Sequence, residues 1–172
     1  MIKHSLIAIA IVFSAASSNA RPSPQITTII LVRHAEKAGP SGDVLLSAAG
    51  FDRAKELARV LGSAGISAIY TTPFHRVRQT AEPLATALHI TPVEVETGDT
   101  YARDVVNAIM RDHKGQTVLV IGHSNTTVDV LRQLKIPNPP SITDSQYDDL
   151  FLCTISGATR KLLVLHYGAV AR

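Results

Sequence analysis

The feature that most constrains this chain is an apolar run at residues 29–32 that ends directly in Arg33 and His34. A continuous run of branched apolar residues is typical of a strand buried on both faces of a parallel sheet. In open α/β sheets, ligand-binding residues lie at the carboxyl ends of such strands. We therefore expect Arg33 and His34 at a ligand-binding edge. The alternative is an ordinary strand end where two polar side chains reach solvent.

Strands and helices alternate along the rest of the chain. Ser47 is a predicted N-cap, and apolar residues at helical spacing follow it, with Arg53 on the polar face. Pro83 should kink or split the second helix. We predict strands at residues 26–32, 66–70, 92–96 and 117–121, helices at residues 47–61, 76–88, 104–113 and 127–134, and a closing hairpin formed by residues 150–156 and 161–167.

This alternation predicts an α/β fold, specifically a three-layer sandwich. Its central sheet should be mainly parallel, with helices on both faces and a C-terminal antiparallel hairpin at one edge. The length of 172 residues suggests one domain after any leader segment.

The first twenty residues have the build of a secretory signal peptide. A basic start precedes an apolar run, and small residues lead to Ser18-Asn19-Ala20. We expect cleavage after Ala20, so that residues 1–20 are the signal peptide and residues 21–172 form the domain. The apolar run is short for a membrane span, so we expect a periplasmic or secreted protein without stable membrane insertion after cleavage. An uncleaved anchor is the alternative.

The composition narrows the classes of partner and cofactor. The chain is 45% hydrophobic and 18% charged, which is typical of a globular protein. Its net charge of +3 includes no run of lysines and arginines, so we expect no nucleic-acid partner, whereas a small anionic substrate suits this charge. The single cysteine, Cys153, lies in an apolar stretch and should pack as a small hydrophobe. The spacing of the histidines fits no metal site, so we expect neither a metal nor another cofactor.

Three polar clusters follow predicted strands: Arg33 with His34, the region of Arg76, and His123 after Gly122. Because the carboxyl ends of parallel strands open on the same edge, these clusters can converge. Two guanidinium groups and two imidazoles would then form a strongly cationic pocket. Arginine forks match phosphoryl oxygens, and the helix that follows Gly122 would add backbone donors. We therefore predict that His34 is a nucleophile and that Arg33 holds the anion it attacks.

Three stretches resemble, in order, the motifs of the histidine phosphatase superfamily, the phosphoglycerate mutase-like fold. They are LVRHAEK at residues 31–37, TTPFHRVRQTA at residues 71–81 and IGHSN at residues 121–125. The arginine–histidine pair alone is weak evidence, whereas three ordered motifs after predicted strands are strong evidence. The resemblance extends over residues 26–167.

The resemblance implies specific roles. His34 would be the nucleophile that becomes phosphohistidine, Arg33 and Arg76 would bind the phosphoryl oxygens, and His123 would be the second histidine of the phosphate pocket. These roles agree with the chemistry, because phosphoryl transfer needs placement and charge neutralisation above all. A nucleophile also divides one difficult displacement into two easier ones.

The general acid is the open question in this resemblance. Many relatives have a carboxylate after the third strand or beside the second histidine, but here Ser124 follows His123. Glu96 and Asp99, at the predicted exit of the third strand, are therefore our candidates, with solvated loop charges as the alternative. Ser124 and Glu36 are candidates for binding the substrate phosphate.

Together these features predict an exported phosphatase that hydrolyses a small phosphomonoester through phosphohistidine. The chain lacks the long insertions that form a substrate cap in the acid phosphatase and phytase branch, so we expect an open pocket. The alternative is a catalytically weak or inactive phosphate-binding module of the same fold, an idea supported by the missing acid. Export leaves a phosphorylated envelope glycolipid as another candidate substrate, and the oligomeric state is open.

Overall fold

The computed structural model describes residues 25–170, so the predicted signal peptide lies outside the described residues. One six-stranded sheet with four helices forms the fold. The strands are β1 (Thr27–Arg33), β2 (Ile66–Thr71), β3 (Val93–Glu94), β4 (Thr117–Gly122), β5 (Asp149–Ser156) and β6 (Thr159–His166). The helices are α1 (Ala48–Leu61), α2 (His75–Leu88), α3 (Tyr101–Asp112) and α4 (Ser124–Gln133).

The sheet has the strand order β3-β2-β4-β1-β5-β6. Strands β1 to β4 are parallel to one another, whereas β5 and β6 form an antiparallel hairpin that pairs with β1. The predicted α/β architecture with a mainly parallel sheet and a closing hairpin is confirmed. Because β1 and β4 are neighbours, the carboxyl ends of these two strands lie side by side.

Two hydrophobic layers cover the sheet, as predicted for a three-layer sandwich. Ile30 and Val32 of β1 pack with α1 and α2 on one face, whereas Ile29 and Leu31 pack with α3 and α4 on the other. This alternation follows from the two-residue period of a strand. It explains why every residue of the apolar run is buried.

Several boundaries differ from the prediction. Strand β3 has two residues rather than five, because it pairs only with the end of β2. Helix α3 begins three residues earlier than predicted, at Tyr101, and α4 does so at Ser124. Pro83 does not split α2, which continues to Leu88 while the residues that follow the proline, Leu84 and Ala85, are buried in the core.

Arg53 is buried rather than on the solvent face predicted from its helical position. Its guanidinium donates to the carboxylate of Glu36, with the shortest distance at 2.7 Å. It also donates to the carbonyl oxygens of Tyr167 and Ala169 at 2.8 Å. Gly50 lies against the backbone of Glu36, where a Cβ would overlap the carbonyl oxygen. Helix α1 therefore fixes the segment that follows His34 and the C-terminal end of the described chain.

Two further observations concern the surroundings of the sheet. Cys153 is fully buried in β5, and burial raises the pKa of its thiol to about 12, as expected of a cysteine that packs as a hydrophobe. Between residues 25 and 170, the helices are all too short or too polar to cross a bilayer.

We expect the substitution Arg53→Met to destabilise the fold by about 3 kcal/mol, because it leaves the Glu36 carboxylate and two carbonyl groups without their donor. The matched control is Arg59→Met on the same helix, where the arginine is exposed and bonds Glu56. That change should have little effect on the free energy of unfolding, because solvent screens an exposed ion pair. Urea unfolding of both variants measures the difference, and equal losses would contradict the structural role of Arg53.

Candidate active site

A cavity of about 340 Å³ lies at the carboxyl edge of the sheet. The ends of β1 and β4 and the first turns of α2 and α4 supply its walls. It brings together five of the residues singled out from the sequence, namely Arg33, His34, Arg76, His123 and Ser124. The predicted convergence of three distant segments is therefore present in the fold.

The pairing of β1 with β4 sets the distance between the two histidines. Arg33 lies opposite Gly122 in the register, and the His34 amide donates to the Gly122 carbonyl at 2.8 Å. The rings of His34 and His123 then lie 5.3 Å apart between centroids. A Cβ on residue 122 would lie 2.7 Å from the Thr126 hydroxyl, so the approach of the strand to α4 requires glycine.

His34 is held in one tautomer. Its Nδ1 lies 2.7 Å from the Ala35 carbonyl oxygen, which only accepts, so Nδ1 carries the proton and donates. Nε2 is then left with a lone pair. The backbone beside the ring is fixed as well, because the Ala35 amide donates to the Thr80 hydroxyl at 3.0 Å. Burial lowers the pKa of His34 to about 3; the bond to Ala35 opposes this shift, and the positive groups nearby add to it.

His123 is the N-cap of α4 and has partners on both ring nitrogens. Nδ1 lies 3.4 Å from Nη2 of Arg76, and since a guanidinium only donates, Nδ1 is the acceptor. Nε2 therefore carries the proton and donates to the Thr72 hydroxyl at 3.1 Å. Burial, together with the charges of Arg76 and Arg33, lowers the pKa of His123 to about 4.

Arg33 is fixed by the connection between α4 and β5. Its Nη1 donates to three backbone carbonyls at 2.8–3.1 Å, those of Thr143, Asp144 and Gln146. The guanidinium also lies 4.2 Å above the ring of Tyr147. One nitrogen of the fork is thus fully engaged, and the guanidinium plane is held in place.

Arg76, in the first turn of α2, faces Arg33 across the cavity lining. It donates to the Gly42 carbonyl at 3.0 Å and lies 4.5 Å above the ring of Phe74. The Nε atoms of both Arg33 and Arg76 are buried and have no hydrogen-bond partner among the described residues. Buried donors are almost always paired in proteins, so two orphaned guanidinium donors beside one cavity indicate an anionic ligand.

The remaining predicted site residues divide into two groups. Ser124 lines the cavity as the first residue of α4, where the helix N-terminus favours anions. Glu36 does not line the cavity and pairs instead with Arg53. Glu96 is exposed and does not line the cavity, although its neighbour Thr97 does. Asp99 borders a separate, adjacent cavity. The structure therefore brings neither acid candidate to the phosphate pocket.

Three further residues make contacts at the site although the sequence-based prediction assigned them no role. Thr72, which bonds His123, lies within a quoted motif but was not distinguished from its neighbours. Tyr147 and Asp144 lie in the long connection before β5, which contains prolines and no recognisable pattern. The sequence alone held no signal for these last two.

A larger cavity of about 660 Å³ lies between α2 and β3. Arg78 is the one arginine that lines it, and its Nε donates to Oε1 of Glu94 at 2.6 Å. It contains neither an orphaned guanidinium donor nor a pair of imidazoles within the described chain. The smaller cavity, at the carboxyl edge of the sheet, is therefore the candidate active site, although its volume is lower.

Comparison with known proteins agrees with this geometry. Residues 29–98, which include most of β1 and all of α1, β2, α2 and β3, match the family model of the histidine phosphatase superfamily, branch 1. No curated protein sequence matches the chain at a significant level.

Solved structures share the fold at low sequence identity. The protein histidine phosphatase SixA complexed with tungstate is 18% identical, with a TM-score of 0.65 over 81% of this chain and 96% of the other. YhfR from Bacillus stearothermophilus is 20% identical, with a TM-score of 0.66 over 80% and 96% of the two chains. A mycobacterial glucosyl-3-phosphoglycerate phosphatase is 14% identical, with a TM-score of 0.64 over 84% and 99%.

The segment that matches the family model contains Arg33, His34 and Arg76. His123 lies outside that segment but lines the same cavity. The ordered motifs, the six-stranded sheet and the four converging side chains agree with one assignment. The family-model match over residues 29–98 and the shared fold support assignment of this chain to the histidine phosphatase superfamily.

Proposed function

We propose that this protein is a phosphatase that hydrolyses a small phosphomonoester through a phosphohistidine at His34. The observation that carries the proposal is a neutral, tautomer-fixed imidazole beside two arginines that have unpaired, buried Nε donors. A phosphoryl group supplies what this arrangement lacks, because its oxygens accept from guanidinium groups and its phosphorus is the electrophile for Nε2.

The first chemical step transfers the phosphoryl group to the protein. The Nε2 lone pair of His34 forms an N–P bond while the P–O bond to the alcohol breaks in line with it. Arg33 and Arg76 neutralise the charge on the equatorial oxygens, and the N-terminus of α4 adds backbone donors. The Ala35 carbonyl stabilises the cationic ring that forms, since it already accepts from Nδ1.

The second step releases phosphate. A water molecule attacks phosphorus and releases one proton, which balances the proton that the leaving oxygen gains. The N–P bond breaks and its electron pair returns to Nε2, which restores the neutral imidazole. His123 keeps its ring plane fixed between Arg76 and Thr72 during both steps. The site therefore needs only the chain's own residues and water for a complete cycle.

The cavity favours a small or exposed phosphoester. At about 340 Å³ it accommodates a phosphoryl group and a modest leaving group. Arg33, Arg76 and Lys37 line it, against one carboxylate, so dianionic phosphate is favoured electrostatically. The related folds include a protein histidine phosphatase and a glucosyl-3-phosphoglycerate phosphatase, which act on different substrates, so the substrate here is argued from the cavity.

We also propose that the protein is exported, on the strength of the N-terminal sequence. The basic start, the apolar run and Ser18-Asn19-Ala20 support a cleaved signal peptide. N-terminal sequencing of the protein expressed in a Gram-negative host should give Arg21 as the first residue and place the protein in the periplasmic fraction. Recovery from the cytoplasm with Met1 intact would contradict the export proposal and leave the phosphatase proposal unaffected.

Replacing the nucleophile tests the phosphatase proposal directly. We expect the wild type to hydrolyse p-nitrophenyl phosphate, and His34→Asn to lower kcat by about 10⁴-fold or more, because removal of a covalent nucleophile leaves only binding and electrostatic stabilisation. Rapid acid-free denaturation after mixing with ³²P-labelled substrate should trap label on the wild type and none on the variant.

The matched control is His89→Asn, because His89 caps α2 in a left-handed conformation that asparagine also adopts. This variant should retain both turnover and labelling. If the wild type binds inorganic phosphate but hydrolyses no phosphoester at any pH between 4 and 8, the protein is a phosphate-binding module and the phosphatase proposal is wrong.

The imidazoles of His34 and His123 should stay neutral well below the usual titration range of histidine. Since burial lowers the pKa of His34 to about 3 and that of His123 to about 4, both rings should be uncharged at pH 6 and gain protons only on further acidification. Inorganic phosphate should raise both pKa values, because a bound anion favours the charged ring. NMR of ¹⁵N-labelled imidazoles, assigned with His34→Asn and His123→Asn, measures this. A midpoint above 6 without phosphate would contradict the described geometry.

A further inference from the structure

Asp144 is the carboxylate that the fold brings to the phosphate pocket. Every Asp and Glu of the sequence lies within the described residues 25–170, so the comparison among side-chain carboxylates is complete. Among these acidic residues, Asp144 is the one that lines the cavity with His34 and the two arginines. The acid candidates expected from the sequence, Glu96 and Asp99, do not line it.

Other carboxylates near the site already have partners. Glu36 accepts from Arg53, as described above. Asp43, which lies 3.9 Å from a guanidinium nitrogen of Arg76, accepts from the backbone amide of His75 at 2.8 Å and from its ring at 2.6 Å. These interactions hold both carboxylates outside the cavity.

The backbone of Asp144 is fixed, whereas its carboxyl group is exposed and has only a long ion-pair contact with Arg33. Its carbonyl oxygen accepts from Arg33 at 3.0 Å, and the amide of Thr143 bonds the Gln146 side chain at 2.7 Å, which closes the turn. The side chain itself is fully exposed, with one oxygen 3.8 Å from Nη2 of Arg33 and no hydrogen bond within the described residues. A side chain with these properties can reach an oxygen at the mouth of the cavity.

We propose that Asp144 is the general acid of the reaction and that alkyl phosphate monoesters are the substrate class it serves. The inference rests on the phosphohistidine mechanism proposed above. Alkoxides are strongly basic leaving groups, so their departure requires a proton in the transition state, whereas an aryl oxide such as p-nitrophenolate leaves without one. A free carboxyl group at the cavity mouth supplies that proton.

The proton balance closes over the two steps. In the first, the O–H bond of the Asp144 carboxyl group breaks and its proton passes to the leaving oxygen as the P–O bond breaks and the N–P bond forms. In the second, the Asp144 carboxylate accepts a proton from the attacking water as the new P–O bond forms and the N–P bond breaks. The second step thus returns to Asp144 the proton that the first step removed.

The test compares how the purified protein hydrolyses two phosphomonoesters whose leaving groups differ in basicity. We expect Asp144→Asn to lower kcat for glycerol 2-phosphate by about 10²- to 10³-fold, the usual contribution of a general acid, with KM little changed. The loss of kcat for p-nitrophenyl phosphate should be smaller by at least tenfold. Asp144→Glu should recover part of the turnover of the alkyl ester. The matched controls Glu96→Gln and Asp99→Asn should leave both activities within about twofold of the wild type.

The outcomes separate this inference from the proposed function. Equal losses on both substrates would show that Asp144 only positions Arg33, and a loss selective for the alkyl ester in Glu96→Gln or Asp99→Asn would assign the acid elsewhere; either result overturns the inference. Failure of the wild type on the aryl ester overturns the phosphatase proposal instead. Wild-type turnover of the aryl ester alone, with normal phosphohistidine labelling, would overturn the inference about Asp144 and leave the phosphatase proposal standing.

Discussion

The pairing of β1 with β4 is the constraint on which the rest of the site depends. These strands lie about ninety residues apart in the sequence, yet their register sets Arg33 opposite Gly122 and so places His34 beside His123. The register is strongly specified because β1 is buried on both faces, and a slip by one residue would exchange the two sets of packed side chains. The two hydrophobic cores thus determine the distance between the imidazoles.

The site holds positive groups close together with little compensation. Arg33 and Arg76 share one small cavity with the buried ring of His34 and the half-buried ring of His123, and the two guanidinium charges add to the effect of burial in lowering the pKa values of the rings. The fold maintains this arrangement through backbone carbonyls that accept from Arg33 and through aromatic rings beneath both guanidinium groups. A preorganised cationic site of this kind stabilises a phosphoryl transition state without reorganisation at the moment of reaction.

The sequence predicted those features that depend on local pattern. The Ser47 cap, the parallel strands and the four central side chains all follow from apolar runs that end in polar motifs. The prediction was wrong for Arg53, because helical periodicity does not show that a carboxylate and two carbonyls lie within reach of its guanidinium. It gave no sign of Asp144 or Tyr147, whose positions depend on how an irregular connection folds over Arg33.

The side chains proposed to bind and attack the phosphoryl group and those proposed to act on the leaving group lie on different parts of the fold. The proposed nucleophile and the proposed phosphate-binding side chains lie at the ends of strands and helices, whereas Asp144 and Tyr147 lie on the connection between α4 and β5. Connections tolerate sequence change better than the elements they join. The hydrogen bonds that this connection makes to Arg33 come from backbone carbonyls, which every residue type supplies. Substitutions at position 144 can therefore alter which leaving groups the site accepts while the phosphate pocket keeps its geometry.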